Sequence, residues 1–210
     1  MTVDKTYTRQ RAWELLSEWT QSPSLLKHAL AVETCVRAYG EREADARRLD
    51  GNERNAFVDL YSLTGLLHDF DYERHPSLEE HPFVGHSLLT EQGWPEEIRE
   101  AIMGHAQYSG VARKTHLAKA LFACDELAGF LTAVALVKPT KSILDVDPQS
   151  VRKKMKDKAF ARGVHREDII AGAQELGVEL DAHIGFCIAA MRSHAEALGL
   201  EGVAAPSPLP

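Results

Sequence analysis

The sequence predicts an all-α protein, folded as a single-domain helical bundle, from three observations. Apolar residues recur at three- and four-residue steps through most of the 210 residues, and strand-like alternation is scarce. Clusters of Pro, Gly and Ser cut that pattern into segments of ordinary helix length. An apolar share of 44% and a charged share of 26% are those of a globular chain long enough for one sizeable core.

The first helix is expected over 8–20, where Trp13, Leu16 and Trp19 supply an apolar side and Ser22-Pro23 ends it. The second starts after Pro23-Ser24, with Ser24 as its N-cap, and runs to about 43 with Leu25, His28, Val32 and Val36 on related faces. A polar interval over 45–52 leads to a third helix ending at His68-Asp69, and 70–80, charged and broken by His75-Pro76, reads as a loop. Helices over 81–92 and 95–107 follow, parted by Gly93, with Pro95 suited to a first turn. A long helix from 116 to about 137 stops before Lys138-Pro139. Segments 166–177 and 180–198 complete the bundle, the second with Ile184, Ile188 and Met191 on its inward stripe, and 203–210 is expected to be a disordered tail.

Several of these helices carry a polar group where packing is expected. Leu117, Leu121, Asp125 and Ala128 share one face, so the carboxylate continues an apolar stripe, and a buried carboxylate must be paired, protonated or on a metal. His105 follows Ile98 and Ile102 inward; His68 follows Tyr61, Thr64 and Gly65, where the glycine lets a neighbouring helix approach. His28 lies among Leu25, Val32 and Val36. A lone histidine on such a face is ordinarily a satisfied core residue. Four such positions in the order His28, His68-Asp69, Asp125 are a candidate metal site.

At these residues the chain resembles the HD superfamily of metal-dependent phosphohydrolases, whose hallmark is a histidine, a His-Asp doublet and a distant aspartate. Gly65-Leu66-Leu67-His68-Asp69 carries the doublet, and the resemblance spans about His28 to Asp125. His81-Pro82-Phe83-Val84-Gly85 looks like the His-Pro-x-x-Gly segment of the binuclear branch, and Ile102-Met103-Gly104-His105 like the histidine closing its next helix. The resemblance implies metal ligation by His28, His68, Asp69 and Asp125, with His81 and His105 holding a second ion bridged through Asp69. His86 is the alternative to His81. It also implies an HD-type domain over 1–202, with a metal-site core over about 24–137 and a helical extension over about 147–200. The chain departs from the pattern at Phe70-Asp71, where one large branch has Ile-Gly, at Ala106, and in lacking the Gly-Tyr-Pro signature of cyclic-dinucleotide phosphodiesterases.

Mixed nitrogen and oxygen ligation without cysteine suits one or two divalent transition-metal ions, namely iron, manganese, cobalt, nickel or zinc. The implied catalytic residues are Asp69 and His68, with Asp69 orienting an attacking water against a small phosphorylated substrate or nucleotide. No Walker, Rossmann or nucleophile-elbow motif occurs, which favours direct attack by water over a covalent intermediate. Two other readings share these ligands: a di-iron oxygenase, and a noncatalytic sensor that binds a nucleotide in the same pocket.

Seven Lys and Arg residues fall between 152 and 166, opposed there only by Asp157. Charge runs are ordinarily solvated helix faces; the sharper expectation is a phosphate clamp using Lys154 and Lys158, with Lys141 and Ser142 on the preceding loop. A net charge of −7 argues against nonspecific nucleic-acid binding by the whole surface. No apolar run has membrane-spanning length and the N-terminus has no signal-peptide pattern, so a cytoplasmic protein is expected. Cys35, Cys124 and Cys187 are expected to be free buried thiols, and the sequence leaves the oligomeric state open.

Overall fold

The computed structural model describes residues 7–203, so the expected tail beyond Val203 lies outside the described residues. Ten α-helices and no strand occur among them: α1 (Arg9–Trp19), α2 (Pro23–Ala46), α3 (Gly51–Leu67), α4 (Phe83–Glu91), α5 (Glu96–His105), α6 (His116–Leu136), α7 (Pro148–Met155), α8 (Arg166–Leu176), α9 (Leu180–Ser193) and α10 (Ala195–Leu198). The architecture is a single all-helical bundle. None of these helices is long and apolar enough to cross a membrane.

Local chemistry sets the helix starts. The Thr8 hydroxyl accepts from the Arg11 amide at α1, Thr115 does the same for Ala118 at α6, and Asp147 and Ser150 form a reciprocal capping box at α7. Two expected starts shift. Ser22 rather than Ser24 is the N-cap of α2, because Pro23 takes the first helical position, where its missing N–H has no partner to lose. Pro95 likewise caps α5 from outside, and the helix begins at Glu96.

Two apolar clusters form the interior. One joins α2, α6 and α9 through residues such as Val32, Val36, Leu121, Leu127, Phe130, Ile184 and Met191; the other joins α1, α3 and α5 through Leu16, Leu66, Phe70, Trp94, Ile98 and Ile102. In α1 the closely buried residues are Ala12, Leu15 and Leu16, and Trp13 and Trp19 pack at the margin. The three cysteines are free and buried. Helices α2 and α3 approach closely at Gly65, where a Cβ would stand 2.8 Å from Glu33 Cα.

The C-terminal helices pack back onto this core. A Cβ at Gly172 of α8 would lie 2.6 Å from Ala123 Cα of α6, so the two backbones nearly touch. Arg113 fixes the far end of α8, binding Glu175 through both carboxylate oxygens at 2.6 and 2.8 Å and donating to the Gly104 carbonyl at 2.7 Å. Near the end of the described chain, the Ile143 amide donates to Leu200 O and the Val203 amide to Thr140 O.

Candidate metal centre

Five segments deliver six side chains to one place. His28 comes from the second turn of α2, His68 caps the C-terminus of α3 and Asp69 follows it, His81 precedes α4, His105 ends α5, and Asp125 lies in the middle of α6. They form two groups, His28 with His68 and Asp125, and Asp69 with His81 and His105, each offering ligand atoms within 4.8 Å of one another. Asp69 spans the two. Its Oδ2 lies 3.3 Å from His68 Nε2, and its Oδ1 lies 3.2 Å from both His81 Nε2 and His105 Nε2. Asp125 Oδ1 stands 3.1 Å from His28 Nε2 and 3.4 Å from His68 Nε2.

The tautomers of three rings follow from what their other nitrogens touch. His68 Nδ1 lies 2.9 Å from the Gly65 carbonyl, and His105 Nδ1 meets the Ile102 carbonyl. A carbonyl oxygen only accepts, so each Nδ1 carries the proton and each Nε2 presents a lone pair. His81 Nδ1 donates in the same way to Asp71 Oδ1 at 2.7 Å. The Nε2 atoms of His81 and His105 are 3.3 Å apart, as are those of His28 and His68, with carboxylate oxygens beside them. Lone pairs converging without a donor between them need a proton or a cation. A buried oxygen-and-imidazole set with its rings oriented by carbonyls and a carboxylate fits a divalent transition metal.

The electrostatics point the same way. Burial alone would lower the His68 imidazole, yet the Asp69 and Asp125 carboxylates hold it well above its ordinary value. His81, against burial, is lifted to about 9 by Asp69 and Asp71. Burial would raise Asp69 and Asp125, but His68 with the other imidazoles holds both well below the usual carboxylate range. Access is one-sided: the side chains of His28, Asp69 and Asp125 keep 22%, 22% and 18% of their surface, whereas that of His68 keeps none. Solvent therefore reaches the carboxylate edge of the centre.

Other residues complete the site without any periodic signal in the sequence. Asp71, 1% exposed, orients His81 and accepts from the Gly85 amide at 2.7 Å; a Cβ at Gly85 would sit 2.8 Å from its Cγ. Tyr108 donates to the His81 carbonyl at 2.9 Å, and the Tyr72 ring stands edge-on to the His81 ring. Glu126, beside Asp125, accepts from the His165 amide at 3.2 Å and so ties α6 to the start of α8. The unusual Phe70-Asp71 pair after the doublet was the one clue to Asp71.

His86 belongs to neither group, and desolvation lowers its imidazole. His116 and His183 are engaged by the hydroxyls of Tyr61 and Tyr39, as core and margin histidines are expected to be.

The four residues expected to clamp phosphate have the following surroundings. Ser142 is 3% exposed, accepts from the Leu144 amide and donates to Leu200 O, so its hydroxyl caps a 3-10 turn. Lys141 precedes it, beyond the end of α6, and Asp125 and Leu136 alone are separated by roughly 16 Å of helix. Lys154 holds its ammonium 4.7 Å from the Phe160 ring centroid, and Lys158 lines a groove of about 600 Å³ with Lys156, Arg162 and His165. Glu167 and Ile170 form the α8 wall of that groove, whereas Asp168 accepts from Gln107, two residues past His105. At 100° per residue, the groove-lining Glu167 and Ile170 point to a different side of α8 from Asp168.

A family model described as the HD domain matches residues 25–129, half of the chain, and takes in all six of these side chains. No curated protein and no solved structure matches the chain.

Proposed function

The chain belongs to the HD-domain family and is a metal-dependent hydrolase, and from that premise we propose that it hydrolyses a small phosphate ester or nucleotide by direct attack of water. The observation that carries the reading is Asp69, one oxygen facing each group of imidazoles. Ions held by His28, His68 and Asp125 and by His81 and His105 would share that carboxylate. Bound there, a divalent metal pair supplies Lewis-acid polarisation of a phosphoryl oxygen and lowers the pKa of water toward about 7.

The protein's own part is positioning. Carbonyls of Gly65 and Ile102 and the Asp71 carboxylate hold three imidazoles with Nε2 inward, so no rotation is needed on binding. Asp69, between the two groups and partly open to solvent, would orient the attacking water by accepting its hydrogen bond. The partly exposed edge formed by His28, Asp69 and Asp125 admits the phosphoryl group.

The test is phosphate release from a panel of aryl, sugar and nucleoside monophosphates, with protein loaded separately with iron, manganese, cobalt, nickel or zinc. Wild type is expected to turn over at least one ester, and Asp69→Ala to lose turnover while its far-ultraviolet circular dichroism stays helical. Full activity in that variant would contradict the mechanism. Oxygen consumption by the iron-loaded protein would instead favour the di-iron oxygenase, and nucleotide binding without turnover the sensor.

A further inference from the structure

Two exposed tyrosines flank the second group of ligands. Tyr72 keeps 41% of its surface and Tyr108 46%, although large aromatic residues are usually well buried. The Tyr72 ring stands 5.3 Å, edge to face, from the His81 ring. Tyr108 donates its hydroxyl to the His81 carbonyl at 2.9 Å. Both tyrosines thus contact His81, one through its ring and the other through its backbone carbonyl.

The orientation of Tyr108 is the informative detail. A surface tyrosine ordinarily tucks its ring against the protein and turns its hydroxyl to water. Here the hydroxyl is tied to the His81 carbonyl while the residue stays 46% exposed. That hydrogen bond also restricts the side chain in advance, which reduces the entropy lost when a ligand stacks on it. Phe83, two residues after His81, adds a third exposed aromatic side chain on the same segment. His81, which both tyrosines touch, stands 3.2 Å from Asp69 Oδ1, and Asp69 belongs to the partly exposed edge of the centre, so the two rings lie one residue away from that opening.

We propose that Tyr72 and Tyr108 form an aromatic subsite for the leaving group, and that the substrates are phosphate esters carrying a flat unsaturated ring near the phosphorus. This rests on the reading of the centre as a phosphoryl site. Offset or edge-to-face contact with one or two rings raises affinity by roughly three- to tenfold per ring over an alkyl group.

The test uses phosphonates, whose carbon–phosphorus bond is not hydrolysed, so it does not depend on turnover. Calorimetric titration of the metal-loaded protein with phenylphosphonate and methylphosphonate gives the ratio of their affinities. Wild type is expected to prefer the phenyl compound about tenfold; Tyr72→Ala and Tyr108→Ala to bring the ratio toward one; and Tyr108→Phe, which keeps the ring and removes the hydroxyl, to restore it. Equal affinities in wild type, an unchanged ratio in both alanine variants, or no phenylphosphonate binding would each overturn the subsite. Failure of the hydrolase reading appears elsewhere, as phenylphosphonate preference without phosphate release from any ester.

Discussion

His81 reaches the metal centre only because another residue turns it there. Asp71 is buried, receives the His81 Nδ1–H and has a second bond from the Gly85 amide, so the carboxylate is itself fixed. Asp71→Asn keeps the shape and weakens that hold. It is expected to lower metal affinity at the second group by about 10- to 100-fold and leave the first group filled, which stoichiometric titration would show as one lost equivalent. Retention of both would mean that Asp71 serves packing alone. The same imidazoles fix a pH dependence. His81 is raised from 6.5 to about 9 in the metal-free protein and His68 is raised as well, so the His81 contribution to stability is present below pH 6.5 and lost as pH rises through about 9. Metal must displace those protons, so affinity runs the other way. Between pH 6.5 and 9 the melting temperature of metal-free protein is expected to fall while metal binding tightens; a flat or rising metal-free profile would refute the assignment.

Helices α2 and α3 pack nearly backbone to backbone, as do α6 and α8, which fixes the ligand-bearing helices α2, α3 and α6 in place. Gly65 and Gly172 are where this closeness is purchased: a methyl group would meet Glu33 Cα or Ala123 Cα rather than a yielding side chain. Gly65→Ala and Gly172→Ala should each destabilise by about 1–3 kcal/mol, lowering the melting temperature by roughly 2–10 °C. The Gly65 change should also disturb metal binding, since its carbonyl holds His68 Nδ1. A melting temperature equal to wild type in both would show that the helices adjust freely. At this scale the sequence was most legible. Three- and four-residue steps mark which side of each helix is buried, so the inward placement of His28, His68, His105 and Asp125 could be read from their apolar neighbours. Asp71 and Tyr108 could not, because they sit in short connections where no period relates a residue to its surroundings.

Across the whole molecule, what sequence left open was which helix faces which neighbour. The basic run of 152–166 does fold back beside α6, through the bond between His165 and Glu126. Its groove nevertheless opens on the flank of α8 away from Gln107, a fact set by the packing of Gly172 on Ala123 and invisible in the order of charges. Lys141 and Ser142 follow the C-terminal end of α6, where the Ser142 hydroxyl is taken up by Leu200. The ligands, by contrast, come from five successive segments that the closed bundle brings to one place. The proposed chemistry requires Asp69 to join the two ligand groups. Elemental mass spectrometry on protein purified without an affinity tag, wild type beside Asp69→Ala, measures this directly. About two equivalents of a transition metal in wild type, lost in large part in the variant, is the predicted result; wild type without metal even after reconstitution, or a variant that retains both ions, would contradict it.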